Sequence, residues 1–499
     1  MELLSNLALG FATALSPTNL FLGFIGCLVG TLIGVLPGVG PIATIAMLMP
    51  LTLKVDPTGA LIMLAGIYYG AQYGGSTTAI LVNMPGEVTA VVTALDGHEM
   101  AKQGRAGAAL GIAALGSFFA GTIATLVIAA IGVPLTKLAL LFGPAEYFAL
   151  MVFGLGLAIV LARGSVLKAV IMVVLGLLLS TVGTDLETGQ ERLTLGIPEL
   201  SDGVDFAVLA MGLFGIAEIL RNLENPESRN VAIAQIGRLL PTRAELKRCF
   251  GPVVRATGVG SILGILPGNG AVLGPFASYA MEKKLAKDPS RFGKGAIEGV
   301  AGPEAANNAG AQTSFIPLLT LGIPANPVMA LMIGAMIIQG IVPGPNVASE
   351  QPALFWGIIA SMWIGNLMLI ILNLPLIGIW VRLLSVPYRL LYPAILLFCV
   401  IGIYATNTNF AQIVMTAVFA VFGYILIKFD CEPAPLVLGF ILGPLMEENL
   451  RRSLVISRGD PMVFLERPIS ATLLALTAII IVLIVLPQIR KSREEAFKE

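Results

Sequence analysis

Charged side chains are scarce in this sequence. Lys, Arg, Asp and Glu make up 12% of its 499 residues, whereas they make up about 25% of an average soluble protein. Because 56% of the residues are hydrophobic and the mean hydropathy is +0.89, the chain cannot cover its surface with polar groups. The composition therefore predicts an all-α polytopic membrane protein in a lipid bilayer. The formal net charge is zero, so we expect no nucleic-acid partner.

Cysteine and histidine are also rare. The four cysteines have no paired spacing, which argues against a disulfide framework or a zinc site. His98 is the only histidine and lies in a charged stretch, residues 85–105, that we predict to be a solvated loop. We therefore expect no organic cofactor, and no metal beyond a possible sodium ion.

Motifs for catalysis and nucleotide binding are missing. The sequence has no His-Glu-x-x-His, no Gly-x-Ser-x-Gly and no P-loop. We therefore expect a protein that is not an enzyme and is not driven directly by ATP. Residues 1–16 carry Glu2 but no Lys or Arg, so we expect no cleavable signal peptide.

A Leu-Pro-Gly-x-Gly sequence occurs twice, each time within an apolar run. Residues 31–40 read TLIGVLPGVG, and residues 261–270 read SILGILPGNG. Proline lacks a backbone N–H and glycine adopts conformations that other residues resist, so each copy should break a helix and free backbone polar groups. Broken helices of this kind hold substrate and ions near the membrane midplane in transporters. The alternative is a simple kink between packed helices.

Each of these two breaks is followed by an apolar segment with a polar interruption. The interruptions are residues 72–78, QYGGSTT, and residues 307–314, NNAGAQTS. The two halves keep nearly constant register to their ends, which predicts an internal repeat. We divide the chain into a first membrane repeat (1–225), a central cytoplasmic linker (226–250), a second membrane repeat (251–465), and an extra C-terminal transmembrane helix with a basic cytoplasmic tail (466–499).

The positions of Lys and Arg predict how these repeats are oriented. Residues 221–255 contain seven basic side chains, so we place them in the cytoplasm. With the positively charged loops in the cytoplasm, a cytoplasmic loop of one half corresponds to a loop on the outer side in the other half. This predicts two inverted-topology repeats with broken or re-entrant helices, about 10–12 membrane segments and a cytoplasmic C-terminus. One loop contradicts the prediction, because its basic residues would lie outside: Arg451, Arg452, Arg458 and Arg467.

Four motifs together carry a family resemblance. They are the paired breaks at residues 34–38 and 264–268, the segment YGAQYGGS at 69–76, and the segment GPEAANNA at 302–309. With them, nearly the whole chain resembles the large membrane subunit of tripartite tricarboxylate transporters. The resemblance implies a bacterial inner-membrane protein that works with a small four-helix membrane subunit and a periplasmic solute-binding protein. It further implies symport of citrate or another organic carboxylate with an ion, without fixing which acid.

Binding of a carboxylate requires hydrogen-bond donors. Helix N-termini supply backbone N–H groups and a favourable dipole, so no buried Lys or Arg is needed. Interhelical hydrogen bonding is the alternative role for the polar side chains. The predicted substrate-binding residues are Pro37, Gly38, Gly40, Ser76, Thr77, Thr78, Pro267, Gly268, Asn269, Gly270, Asn307, Asn308, Gln312, Thr313 and Ser314.

A coupling ion needs oxygen ligands, which freed carbonyls and carboxylates provide. We expect sodium, or otherwise protons, at Gln72, Gly74, Gly75 and Glu304. An ionisable group at membrane depth, such as Glu304, is functional by default, although a helix-end carboxylate near water is the simpler role. A channel is the main alternative to a transporter, because such breaks can also form a selectivity filter. An intramembrane enzyme is less well supported.

Overall fold

The structure is a computed structural model of the chain. It describes residues 2–36, 40–83, 87–139, 141–162, 165–185, 188–224, 236–267, 270–384, 392–393, 396–397, 399–401, 403–404 and 409–485. The described part is almost entirely helical, with one two-residue antiparallel pair formed by β1 (Gly183–Thr184) and β2 (Glu191–Arg192). This confirms the predicted all-α class.

Most helices follow one another with short connections, although longer stretches separate α8 from α9 and α10 from α11. Those of the first half are α1 (Glu2–Ala14), α2 (Pro17–Val35), α3 (Pro41–Thr52), α4 (Pro57–Val82), α5 (Val91–Lys102), α6 (Ala106–Ala139), α7 (Pro144–Leu161), α8 (Val166–Ser180), α9 (Phe206–Ala210) and α10 (Ala217–Glu224). Those of the second half are α11 (Arg243–Ile265), α12 (Gly270–Leu285), α13 (Glu298–Thr313), α14 (Phe315–Leu321), α15 (Pro327–Ile338), α16 (Val347–Glu350), α17 (Pro352–Asn373), α18 (Ile377–Leu383), α19 (Phe410–Lys428), α20 (Pro433–Ile456), α21 (Val463–Glu466) and α22 (Pro468–Val485). The described residues also contain three 3-10 helices (Val88–Ala90, Pro198–Leu200 and Pro289–Arg291) and a π-helical segment (Met211–Ile216).

Several helices suit a membrane. Within the described residues, α2, α6, α17 and α19 are long and apolar enough to span a bilayer, and several other apolar helices are shorter. The protein is therefore a multi-pass membrane protein, as its composition predicts. The total of about 10–12 segments stays a prediction, because spans built from two short helices cannot be counted by length alone.

The two Leu-Pro-Gly-x-Gly sequences end helices in the same way. Helix α2 stops at Val35 and α11 stops at Ile265, and the next residue in each case, Leu36 or Leu266, has an extended backbone. The cause is local, since a residue before proline is pushed out of the helical region. A new helix, α3 or α12, then starts within five residues. Pro37, Gly38, Gly268 and Asn269 lie outside the described residues.

Glycine allows the closest helix contacts. A Cβ added to Gly30 of α2 would overlap the carbonyl oxygen of Ile67 on α4, so these backbones touch directly. The same contact recurs in the second half, where a Cβ on Gly260 of α11 would overlap the carbonyl oxygen of Ala306 on α13. Small residues at such crossings are what membrane helices use to approach closely. The matching pairs α2–α4 and α11–α13 fit the predicted repeat.

Helices of each half pack on helices of the other half. Helix α8 packs on α20 of the other half through Gly176 and Gly439, and α19 packs on the π-helical segment of the first half through Gly423 and Gly212. Likewise α6 packs on α13 and α17 packs on α4. Each half therefore completes its packing on the other. The boundaries at residues 225, 250 and 465, and the inverted orientation, stay predictions.

The loop that contradicts the predicted orientation is rich in ion pairs. Arg451 lies 2.9 Å from Asp185 and 2.6 Å from Glu447. In the same region, Arg452 pairs with Glu448 and Arg467 with Glu146. Three of the four arginines in that loop thus have their charge balanced by a nearby carboxylate.

Candidate functional site

A cavity of 410 Å³ lies where several helices begin. Its wall contains Gly40 and the first residues of α3, Ala271 and Val272 of α12, and Asn326 with the first residues of α15. Helix α20 also starts there, between Glu432 and Ala434. The first backbone N–H groups of a helix have no partner inside the helix. Several sets of such donors therefore converge on one space.

Proline fixes the start of three of these helices. It is the first residue of α3, α15 and α20, where its missing N–H costs nothing. No side chain caps α3 or α20, whereas Asn326 accepts a bond from the N–H of Met329 in α15. The uncapped first turn of α3 places Ile42 and Ala43 in the cavity wall. Helix N-termini with open N–H groups and a positive dipole end bind anions.

Polar side chains form a connected group on one side of the cavity. The hydroxyl of Thr89 lies 2.6 Å from Glu87 Oε1 and 3.2 Å from Gln72 Oε1. Asn307 Nδ2 donates to the same Glu87 oxygen at 3.4 Å. Nearby, Asn326 Nδ2 donates to the hydroxyl of Tyr68 at 3.3 Å. The residues of this group that line the cavity directly are Tyr68, Gln72, Glu87, Thr89 and Asn326.

Three charged side chains line the cavity besides Glu87: Glu218, Arg221 and Glu432. Arg221 supplies the only cationic side chain among the described lining residues, and its guanidinium lies 3.7 Å from Glu218. Glu432 lies directly before α20. The Arg221 side chain is 58% exposed.

A second carboxylate lies one helical turn further along the same elements. Glu304 of α13 is 1% exposed and accepts hydrogen bonds from Ser76 (2.6 Å), Ser117 (3.5 Å) and Thr93. Asn308 Nδ2 donates to Ser117 Oγ at 2.7 Å. The space lined by Ser76, Thr77 and Glu304 measures 10 Å³, which is room for about one water molecule. This Glu304 cluster is therefore too small for an organic acid.

The predicted site residues fall into four groups. Gly40 and Gln72 line the 410 Å³ cavity, Gly270 begins α12 beside it, and Asn307 reaches it through Glu87. The second group belongs to the Glu304 cluster: Ser76, Thr77, Asn308 and Glu304. The third consists of residues that do not line the cavity and make contacts within or between helices: Gly74, Thr78, Gln312, Thr313 and Ser314. The fourth consists of Pro267, which follows α11, and Gly75, which packs against the Glu87 side chain.

The prediction of a solvated loop at residues 85–105 was wrong. Residues 91–102 form helix α5, and His98 Nδ1 lies 3.1 Å from the carbonyl oxygen of Ile80. The mistake hid Glu87 and Thr89, which precede this helix and line the cavity. The signal that could have revealed other lining residues is a proline at a helix start, as in Asn326-Pro327 and Glu432-Pro433.

The fold and the cavity define a polytopic helical membrane protein with an internal site suited to an anion. A sequence profile described as "Tripartite tricarboxylate transporter TctA family" matches residues 20–438. The chain belongs to this family of membrane transport proteins, as its motifs predicted.

Two relatives from Agrobacterium vitis are similar over long stretches. One, named "Uncharacterized 52.8 kDa protein in TAR-I ttuC' 3'region", is 60% identical over 499 residues, covering 100% of this chain and 99% of the relative. The other, "Uncharacterized protein in TAR-II ttuC' 3'region", is 63% identical over 240 residues, covering 48% of this chain and 99% of that relative. No solved structure matches the chain significantly.

Proposed function

We propose that this chain is the large, translocating subunit of a tripartite secondary transporter that imports tricarboxylates or related organic anions. It works in the bacterial inner membrane, with its C-terminus in the cytoplasm. Its partners are a small four-helix membrane subunit and a periplasmic solute-binding protein, and a sodium or proton gradient supplies the driving force. Membership of the tripartite tricarboxylate transporter family supports this assignment.

The observation that carries the proposal is the convergence of helix N-termini on the 410 Å³ cavity. Its volume lies within the range of about 300–1,000 Å³ that small-molecule sites occupy. The open N–H groups of α3 offer donors to one carboxylate, and Arg221 at the rim offers a cation to a second. A site with two such ends favours acids that carry more than one carboxylate.

The broken helices would allow the site to open to each side of the membrane in turn. Helices α2 and α11 stop at the Leu-Pro-Gly-x-Gly sequences, and α3 and α12 begin at the cavity wall. In transporters with discontinuous helices, rocking of one bundle against the other exposes a midplane site to each side in turn. The periplasmic binding protein would deliver the acid to the outer opening.

Uptake into proteoliposomes tests the proposal. The chain and its small membrane partner are reconstituted, the binding protein is added outside, and accumulation of labelled citrate is followed with and without an inward sodium gradient at fixed pH. A parallel series uses an inward proton gradient and a panel of other di- and tricarboxylates. Accumulation that needs both the binding protein and a cation gradient is the expected result. Gradient-independent equilibration of the acid would favour a channel instead.

A further inference from the structure

One acidic side chain in the cavity wall conflicts with a simple anion site. Glu87 lines the cavity on which the N-termini of α3, α12 and α15 converge. An ionised Glu87 and a bound carboxylate would lie in the same confined space, and like charges disfavour each other strongly there. The anion and the ionised side chain therefore compete for the same positive helix ends.

The geometry of Glu87 leaves one oxygen available. Thr89 Oγ1 and Asn307 Nδ2 both bond to Oε1, at 2.6 Å and 3.4 Å. Oε2 accepts no hydrogen bond from any residue in the described ranges. The stem of the side chain is held in place, because a Cβ added to Gly75 of α4 would lie 3.0 Å from Glu87 Cγ. Oε2 is thus the atom that can take up a proton or a metal cation from the cavity.

A second, independent observation points to a cation at this position. Asn307 is 1% exposed, and its Oδ1 has no hydrogen-bond partner within the described part of the chain. An amide can exchange its oxygen and nitrogen by a half-turn about its last bond. After that turn, Oδ1 would face Glu87, where it can accept a bond from a protonated carboxyl group or coordinate a metal cation. When Glu87 is ionised and binds no cation, Asn307 Oδ1 finds neither a donor nor a cation there.

Within the described ranges, no basic side chain forms an ion pair with Glu87. The one cationic residue among the described lining residues, Arg221, pairs with Glu218. Helix α12, which packs on the 3-10 helix after Glu87, presents Ala271 and Val272 to the cavity. The titratable and charged groups that line the cavity with Glu87 are Tyr68, Glu218, Arg221 and Glu432, and Glu304 lies one helical turn from Asn307 on α13.

We propose that Glu87 is the residue through which the coupling cation acts. A proton or a sodium ion binds at Oε2 and neutralises the carboxylate, and the organic anion binds only to this neutralised form. When the anion leaves on the other side, the cation leaves as well and Glu87 returns to its ionised state. This inference rests on the proposed function and deepens it by assigning the cation site.

Binding of labelled citrate to the purified membrane chain in lipid nanodiscs tests the inference. One series varies sodium at fixed pH, and the other varies pH without sodium. For the native chain we expect the apparent Kd to change at least about tenfold along one series, and the series that responds identifies the cation. Glu87→Gln is permanently neutral, so it should bind citrate as tightly as the cation-saturated native chain and respond to neither series. The matched control Glu99→Gln removes a carboxylate that does not line the cavity and should keep the native dependence.

A second variant tests the same idea with the carboxylate in place. Thr89→Ala removes the 2.6 Å bond that stabilises the ionised form of Glu87, so the neutral form should be reached more easily. If the proton is the cation, half-maximal binding should move to higher pH. If sodium is the cation, loss of the hydroxyl oxygen beside the carboxylate should raise the sodium concentration needed.

The outcomes distinguish a wrong role for Glu87 from a wrong transporter assignment. Cation-dependent citrate binding that Glu87→Gln leaves unchanged would overturn the role of Glu87 while leaving the transporter assignment in place. A native chain that binds neither citrate nor any other di- or tricarboxylate, at any pH or sodium concentration, would overturn the proposed function itself.

Discussion

Replacement of Asp96 tests how the two halves of the chain are held together. Asp96 of α5 is fully buried, and its Oδ1 accepts the backbone N–H groups of Gly293, Gly295 and Ala296 at 2.7–2.9 Å. Its Oδ2 accepts the hydroxyl of Tyr279 at 2.9 Å. One side chain of the first half therefore organises the loop that leads into α13 of the second half.

The expected loss in the free energy of unfolding follows from the four hydrogen bonds to Asp96. A hydrogen bond to a charged group contributes about 1.5–3 kcal/mol. Asp96→Ala loses all four and leaves buried donors, so we expect unfolding to become easier by about 4–6 kcal/mol, allowing for non-additivity. Asp96→Asn keeps an oxygen for the three backbone groups, and the Tyr279 hydroxyl can turn to accept from the amide. We therefore expect a loss of about 1–2 kcal/mol for Asp96→Asn.

Denaturant unfolding of the purified protein in mixed micelles, followed by tryptophan fluorescence, measures these differences. Glu99→Gln is the control, because Glu99 lies on the same helix but pairs only with exposed Lys102 and should leave stability unchanged. We expect stability to decrease from the native chain to Asp96→Asn and further to Asp96→Ala. If Asp96→Ala unfolds like the control, the bonds to Asp96 do not hold the loop in place.

The remaining predictions concern packing and the site. Gly260→Ala should destabilise the protein, because the added methyl group would overlap the Ala306 carbonyl. Gly258→Ala is the control, since its methyl group meets open space. Thermal unfolding compares the two variants, and equal stability would contradict the close contact. Asn269→Ala should abolish citrate uptake while membrane insertion stays normal, and full uptake would remove that residue from the site. Arg221→Gln should raise the KM for citrate about threefold, since one exposed charge contributes little, with a smaller effect for a monocarboxylate.

Part of the fold could be predicted because its causes are local. The two helix breaks depend on proline following leucine, and both Leu36 and Leu266 adopt the extended backbone that this requires. The all-α membrane class follows from composition. The exchange of helices between halves, such as α8 packing on α20, could not be predicted, because it depends on contacts between residues more than 250 positions apart.

The residues that line the cavity were predicted only in part. Gly40 and Gln72 could be identified because they lie in the broken unit or its polar interruption, and both line the cavity. Glu87 was missed because an acidic residue in a short polar stretch has the pattern of a solvated loop. Its burial depends on α12 and α13 from the other half. Ser76 was predicted to bind substrate, yet it bonds to Glu304 in a space too small for an acid.

We propose that a carboxylate binds at the uncapped start of α3. Ala43→Cys places a thiol in the cavity wall, in a chain whose partly exposed Cys431 is replaced by serine and whose other three native cysteines are buried. The rate of its alkylation is measured with and without citrate, and with glycerol as a neutral control. A second cysteine at position 290, in an exposed turn, reports non-specific effects. We expect citrate to slow alkylation at position 43 alone. Equal rates with and without citrate, under sodium and proton conditions alike, would contradict it.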